Sequence, residues 1–260
     1  MAYETLLYET AGEVGILTYN RPKIVNAINR KMLDELNDFW SERHADFQTR
    51  VVIVRGAGEK GFCSGVDLKA ANTEFADAGG RPTPESIFNG QNLFSNIIRL
   101  MRTCPQPIIA AVHGPAMGAG MSFALASDVR LASEDAFFNA QYINIGVGGA
   151  DMGSSYFLWR IVGWGRAAEM CLTGDRVPAA EAYRIGLVNH VYTREDLFPA
   201  AMAMATNMCS KSKLGLRLTK DAFNAALNAS SVEDATRMED RNQAFFLVSG
   251  LLEGAKQLGE

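Results

Sequence analysis

Two short glycine loops constrain this chain more than any other feature. They are Phe62 to Leu68 (FCSGVDL) and Gly114 to Gly120 (GPAMGAG), and each follows an apolar run that predicts a buried strand, Val51 to Val54 and Ile108 to Val112. The second loop leads into a helical pattern over Met121 to Ser127. Backbone N–H groups at strand exits and helix N-termini favour negative charge. The layout therefore predicts an oxyanion hole.

The chain up to residue 195 alternates strand and helix patterns. A strand pair at Thr5 to Tyr8 and Val14 to Tyr19 precedes a helix over Arg30 to His44, and a second helix is expected from about Glu85 to Arg102. Such alternation favours an α/β fold with a mainly parallel or mixed sheet covered by helices. The polar stretch Ala70 to Pro84 is long for a plain connection, and we expect it to form a flap over a site.

From residue 196 onward the strand pattern ends. Three amphipathic helices are predicted, at Leu197 to Cys209, Lys213 to Leu227 and Ser231 to Val248. Helices of this kind need another surface to bury their apolar faces, so self-association is expected. We divide the chain into a core at 1–195 and a C-terminal helical oligomerisation region at 196–260.

Composition excludes several classes of protein. The formal net charge is −4 over 260 residues, which gives no basic field for nucleic acid, and the start shows neither a basic segment nor a long apolar run. No run of apolar residues is long enough to span a membrane. Cys63, Cys104, Cys171 and Cys209 are widely spaced, so a metal site is not expected and a reducing, cytoplasmic location is.

Five motifs, taken in order, resemble the crotonase (enoyl-CoA hydratase/isomerase) superfamily. The resemblance runs through nearly the whole chain. The motifs are Asn20-Arg21-Pro22-Lys23 with Asn26-Ala27, FCSGVDLK, HGPAMGAG followed by Ala126-Ser127-Asp128, LTGDRVPAAEAYRIGLVNHV at Leu172 to Val191, and the helical end.

This resemblance implies a fold, an assembly and a ligand. The fold is a spiral of strand-strand-helix repeats with a C-terminal helical trimerisation region, assembled as a homotrimer or a dimer of trimers. The ligand is an acyl-CoA thioester of fatty acid metabolism, acted on by a lyase or an isomerase. No separate cofactor is implied, because coenzyme A enters as part of the substrate.

By position, the resemblance places the two donors of the oxyanion hole at the N–H groups of Val66 and Ala119. Donors fixed before charge develops stabilise an enolate oxygen, and glycines beside them let the substrate approach the backbone closely. The alternative is that both loops are simply tight turns. The flanking loop residues assigned to substrate binding are Ser64, Gly65, Asp67, Leu68 and Gly118; Asp67 is also expected to fix its loop through backbone hydrogen bonds.

The sequence departs from the family at two positions. Relatives that hydrate enoyl-CoA carry two glutamates, and the corresponding residues here are Ser122 and Tyr142. Neither supplies a carboxylate, so water addition by two glutamates does not carry over. Ser122 is either a packing residue or holds a water, and Tyr142 either contacts the acyl group or is a core aromatic.

One acid remains nearby, Asp151, in a glycine-rich segment similar to the region where dienoyl-CoA isomerases and 4-chlorobenzoyl-CoA dehalogenase keep an active-site aspartate. Burial would raise its pKa and suit proton transfer, whereas a nucleophile must stay ionised. Alternatively, Asp151 caps a helix over Met152 to Val162. Glu74 and Asp77 are either solvated acids or a second proton-transfer group.

The resemblance also assigns coenzyme A contacts. Arg21, Lys23 and Lys69 match positions near the phosphates and adenine in relatives, and cations suit such a ligand. Phe245 and Lys256 resemble groups that reach the coenzyme A of a neighbouring subunit.

Three functions are consistent with these residues. The first is hydration or double-bond isomerisation of an enoyl-CoA, with Asp151 moving a proton. The second is hydrolysis or dehalogenation of an aromatic or cyclic acyl-CoA, with Asp151 as nucleophile. The third is acyl-CoA binding without catalysis.

Overall fold

The computed structural model describes residues 3–77 and 83–257, with side chains at all of these except 74–77 and 249–257. Strands come first in the chain and helices dominate its end. The strands are β1 (Leu6–Ala11), β2 (Val14–Tyr19), β3 (Val51–Gly56), β4 (Ile108–Val112), β5 (Pro115–Met117), β6 (Val129–Ser133), β7 (Phe137–Asn139), β8 (Val177–Pro178) and β9 (His190–Tyr192). The α-helices are α1 (Arg30–Arg43), α2 (Leu68–Asp77), α3 (Pro84–Thr103), α4 (Ala119–Ala126), α5 (Ser154–Val162), α6 (Trp164–Thr173), α7 (Ala179–Arg184), α8 (Arg194–Cys209), α9 (Lys213–Ala226) and α10 (Val232–Gln257).

The strands form two sheets. The larger has the order β1-β2-β3-β4-β6-β9, with β1 antiparallel to β2 and every other pair parallel. The smaller has the order β5-β7-β8, and its β5–β7 pair is parallel. The α/β class with a mixed sheet, predicted from the alternating pattern, is confirmed.

The larger sheet is buried on both faces, as its uninterrupted apolar runs require. Alternate residues of β3 point to opposite sides, so Val52 and Val54 pack into the main core with α1, α3 and α4. Val51 and Ile53 face the other way, toward α8. The apolar positions that predicted α1 are all buried in the main core: Met32, Leu33, Leu36, Phe39 and Trp40.

The predicted flap is not an irregular connection over most of its length, and whether it covers a site stays a prediction. Residues Leu68–Asp77 form α2, and α3 already begins at Pro84. The reason is local: the carboxylate of Asp67 accepts the Ala70 N–H at 3.1 Å, which satisfies a free donor of the first helical turn. Residues 78–82 of the predicted flap lie outside the described residues.

The end of the described chain is helical after β9. Helix α8 buries Leu197, Ala201 and Ala205 against the larger sheet. Helix α9 is held by Lys220, whose buried ammonium group lies 3.0 Å from the Asp128 carboxylate and donates to the carbonyl of Gln106 at 2.8 Å. The division at 195/196 stays a prediction. Among the described residues, no helix is both long and apolar enough to cross a membrane.

The contact between α4 and the first glycine loop gives a stability prediction. A Cβ at Gly120 would lie 2.3 Å from the backbone carbonyl oxygen of Cys63, too close for either segment to keep its place. We expect Gly120→Ala to lower the free energy of unfolding by about 1–3 kcal/mol, as overpacking of a core does. Urea denaturation measures the change.

Gly165 supplies the matched control, because a Cβ there meets nothing within 4 Å. Gly165→Ala should leave the free energy of unfolding unchanged or raise it, since it lies in α6 and alanine favours helix. Equal stabilities for the two variants would contradict the packing described.

Candidate active site

The two glycine loops lie side by side, joined by backbone hydrogen bonds. Cys63 donates its N–H to the carbonyl of Pro115 at 3.1 Å, and its own carbonyl accepts the N–H of Met117 at 2.9 Å. Gly65 follows with φ +90, and a Cβ there would lie 3.0 Å from the Met117 oxygen and 3.6 Å from the Ala119 nitrogen. A side chain at Gly65 would thus fill the space between the loops, and glycine keeps it open.

Two backbone donors lie at this junction. Ala119 is the first residue of α4, after Gly118 at φ +51, and Val66 follows Gly65. Within the described part of the chain, neither the Val66 nor the Ala119 N–H has an acceptor. Ala119 is buried, whereas Val66 is 37% exposed. The pair is therefore open to an anionic oxygen, although its catalytic role stays a prediction.

Hydrogen bonds from residues 21–28 support the first loop. Arg21 donates through Nη1 to the Asp67 carboxylate at 3.0 Å and to the Ala27 carbonyl at 2.5 Å. Ile28 donates its N–H to the Gly65 carbonyl at 2.8 Å and accepts from the Asp67 N–H at 2.9 Å. Asp67 thus fixes its loop, as expected. Arg21 also stabilises this loop, in addition to the phosphate contact predicted for it.

Asn26, which the sequence indicated only as part of a motif, also supports the first loop. Asn26 is fully buried, and its side-chain amide donates to the carbonyls of Ala57, Gly61 and Phe62 at 2.9–3.2 Å. Its own backbone is left-handed, at φ +53, a conformation that asparagine tolerates better than most residues. Asn26 therefore ties the turn after β2 to the first loop.

The remaining residues predicted to contact coenzyme A lie around the first loop. Ser64 donates to the Ile24 carbonyl at 3.3 Å, and Leu68 is half-exposed at the start of α2. Lys23 and Lys69 are exposed. Phe245 is exposed on α10, and the side chains of Lys256, Glu74 and Asp77 lie outside the described residues. Their contacts with coenzyme A stay predictions.

Ser122 and Tyr142, which stand where hydratases carry glutamates, are buried and bonded to each other. Their hydroxyl oxygens are in hydrogen-bond contact, and Ser122 Oγ also donates to the Asp151 carbonyl at 3.4 Å. Since Ser122 has one hydroxyl proton, Tyr142 donates in the pair. Burial raises the pKa of Tyr142, so its hydroxyl stays protonated. The Tyr142 ring also packs on Gly118.

Asp151 is half-buried, and its backbone contacts α4 one helical turn after Ala119, the second donor. Its carbonyl meets Ser122, and Ser122 donates its N–H to Gly118, the residue before Ala119, at 3.0 Å. Burial raises the pKa of Asp151, and an N–H from Met152, 2.7 Å from Oδ1, opposes the rise. Asp151 is thus an acid of raised pKa whose backbone lies against the first turn of α4.

The idea that Asp151 caps the following helix is wrong. Helix α5 begins at Ser154, its N-cap is Gly153, and no side chain caps it. The intervening Met152 and Gly153 have φ values of +45 and +81, so the chain turns sharply between Asp151 and the start of the helix. Asp151 Oδ1 instead accepts hydrogen bonds from the Met152 N–H and from the side-chain amide of Gln91 on α3.

Gln91 was not predicted, because it lies 60 positions from Asp151 and belongs to no motif. Cys63 lies inside the first loop, but burial raises its pKa to about 12, so its thiol stays protonated and is no ready nucleophile. Among the described side chains, no three His, Cys, Asp or Glu residues gather as metal ligands.

Comparisons with known proteins agree with this geometry. A sequence model of the family described as enoyl-CoA hydratase/isomerase matches residues 9–252. The chain is 38% identical over 233 residues to the probable enoyl-CoA hydratase echA12 of Mycobacterium bovis. The aligned region covers 90% of this chain and 81% of that protein. It is 34% identical over 227 residues to the crotonyl-CoA hydratase of Syntrophomonas wolfei, covering 87% of this chain and 84% of the relative.

A solved structure shows the same fold. The crystal structure of a monofunctional enoyl-CoA isomerase from M. smegmatis superposes with a TM-score of 0.73 at 34% identity, covering 89% of this chain and 98% of the isomerase. The family match spans most of the chain and agrees with the crotonase-like fold and the paired glycine loops. The protein belongs to the enoyl-CoA hydratase/isomerase family.

Proposed function

We propose that this enzyme shifts the double bond of an enoyl-CoA thioester, with Val66 and Ala119 N–H groups holding the thioester oxygen and Asp151 moving one proton. The observation that carries this proposal is the position of Asp151, an acid of raised pKa whose backbone carbonyl contacts Ser122 in the first turn of α4, the turn that begins with the Ala119 donor. A relative of similar fold is named a monofunctional enoyl-CoA isomerase.

The chemistry needs one base and one oxyanion site. The ionised carboxylate of Asp151 removes a proton from C2 of a 3-enoyl thioester, and the negative charge that develops on the thioester oxygen is stabilised by the two N–H donors. The protonated carboxyl then returns the proton at C4, which gives the 2-enoyl thioester with no change in mass. A single carboxylate completes the cycle.

Hydration is less well served by these residues. One relative is named a crotonyl-CoA hydratase. Adding water across a double bond needs one group to activate the water and another to protonate carbon. Here the two candidate positions are neutral hydroxyl groups, Ser122 and Tyr142, that bond to each other. Under this proposal Tyr142 lines and supports the second loop, and Ser122 links it to Asp151.

The assembly is part of the proposal. Helix α10 packs against α9 and leaves Phe245, Leu247 and Val248 largely exposed, as expected for a face covered by another subunit. We propose a homotrimer or a dimer of trimers that acts in the cytoplasm on acyl-CoA and uses no cofactor besides the coenzyme A of its substrate.

Replacing the acid tests the proton-transfer role. We expect Asp151→Asn to reduce kcat/KM for 3-enoyl-CoA by about 10²–10⁴-fold, because an amide cannot accept the C2 proton. Binding of a saturated acyl-CoA, measured by calorimetry, should change little. Asp175→Asn is the matched control, since Asp175 is exposed in the loop after α6. Retained turnover in Asp151→Asn would refute the assignment.

The same variant should keep or gain stability at neutral pH. A carboxyl whose pKa is raised in the folded state destabilises the fold once pH exceeds that pKa, because ionisation in the half-buried site is costlier than in the unfolded chain. An amide removes this cost, so loss of activity in Asp151→Asn cannot be attributed to unfolding.

Single-turnover mass spectrometry distinguishes the proposal from attack by Asp151. We expect an aryl-CoA panel, including halogenated rings, to leave the protein mass unchanged, because the raised pKa of Asp151 favours proton transfer over nucleophilic attack. An acyl or aryl adduct on the peptide containing Asp151 would instead establish hydrolase or dehalogenase chemistry. Binding with neither product nor adduct across all esters would indicate a non-catalytic protein.

The pH dependence follows from the direction of the pKa shift. The base form of Asp151 is ionised, so kcat/KM should fall as pH drops through its folded-state pKa. Because burial raises that pKa above the usual 3.8, the acidic limb should lie at higher pH than for an exposed aspartate. Initial rates at subsaturating 3-enoyl-CoA across acidic and neutral pH measure the limb; a limb at or below the usual value would contradict the account.

A further inference from the structure

One contact on the Asp151 carboxylate comes from a side chain outside every motif. Gln91 lies on the exposed side of α3, and its Nε2 donates to Asp151 Oδ1. The same oxygen accepts the Met152 N–H at 2.7 Å. Among the described side chains and backbone, Oδ2 accepts no hydrogen bond. The two oxygens of the carboxylate are therefore unequal.

We infer that Gln91 is a positioning residue that holds Asp151 with Oδ1 anchored and Oδ2 as the oxygen that takes and returns the substrate proton. This inference rests on the proposed function. It adds which atom of Asp151 reacts and which side chain aims it.

The backbone of Asp151 is fixed by hydrogen bonds, so the orientation of its carboxylate depends on the side-chain contacts. Its N–H donates to Ser154 Oγ at 3.0 Å, and its carbonyl accepts the Ser154 N–H at 2.9 Å, so the main chain is fixed. Only the two side-chain torsions remain free. Two donors that converge on Oδ1, one from Met152 and one from Gln91, restrict both torsions and present the other oxygen.

The same amide acts on the charge of the carboxylate. Burial favours the neutral acid, whereas each N–H donated to the carboxylate favours the ionised base. Gln91 therefore opposes the burial effect and favours the base form of Asp151. Removing the amide should raise the pKa of Asp151 further.

The other titratable groups near Asp151 are uncharged at neutral pH. Tyr142 and Cys171 on α6 both have a pKa raised by burial, so each stays protonated. The charged residues of the adjacent helices lie more than one turn along from the contact, or pair with another charged residue: Glu85, Arg99 and Arg102 on α3, Arg160 on α5, and Arg166 with Glu169 on α6. The side chains of Glu74 and Asp77 on α2 lie outside the described residues.

The test replaces Gln91→Leu and compares it with Asn92→Leu, the same kind of change at the next residue of α3, whose side chain is exposed. The full-length protein is labelled with ¹³C at aspartate carboxyl carbons, and the Asp151 signal is assigned by its absence in Asp151→Asn. We expect Gln91→Leu to raise the pKa of Asp151 by about one unit, since a hydrogen bond to a charged group is worth at least that much. Asn92→Leu should leave it unchanged.

Activity supplies the second readout. The acidic limb of kcat/KM for 3-enoyl-CoA should move in Gln91→Leu by the same amount as the NMR pKa, and kcat should fall more than KM rises. An unshifted NMR pKa in Gln91→Leu would overturn the inference, while the Asp151→Asn result would still stand. A shifted NMR pKa with an unmoved pH profile would keep the Gln91–Asp151 coupling but refute the proposed role of Asp151.

Discussion

The parallel pairing of the two glycine loops is the constraint on which the rest of the site depends. Cys63 bonds through both its N–H and its carbonyl to the segment Pro115–Met117, which leads directly into α4. This pairing sets the loop that carries Val66 beside the loop that carries Ala119, and Gly65 and Gly120 permit it because a side chain at either would crowd the other loop. Preorganised donors of this kind stabilise developing charge without reorganisation.

The chemistry of the site depends on a division between neutral and ionisable groups. Ser122 and Tyr142 satisfy each other in a buried hydrogen bond, and both hydroxyl groups are neutral. The charge belongs to Asp151, whose backbone is linked to the same serine and whose carboxylate is held from the opposite side by α3. A reaction that needs one proton carrier suits this arrangement better than one that needs two.

Features determined locally were predictable from the sequence. The apolar spacing of α1, the buried runs of β3 and β4, and the glycine loops all depend on neighbours along the chain, and the structure has them where they were expected. Helix α2 was missed because the polar, glycine-containing stretch after it dominated the pattern, whereas a single Asp67 carboxylate starts the helix.

Features that depend on tertiary register were not predictable. The spacing of Gln91 from Asp151 carries no local signal, and neither does the left-handed backbone of Met152, which lies between Asp151 and the helix it was expected to cap. Ser122 and Tyr142 were located by resemblance, but their mutual hydrogen bond required the packing of α4 against the loop that carries Tyr142.

Proton exchange at C2 of a saturated acyl-CoA in deuterated water tests the central claim most directly, because it isolates the step in which Asp151 takes a proton while the donor pair holds the enolate. The account predicts a mass increase at C2 with the unaltered protein and none with Asp151→Asn, although both bind the ester. Exchange at the same rate in Asp151→Asn, or no exchange with the unaltered protein despite binding, would contradict it.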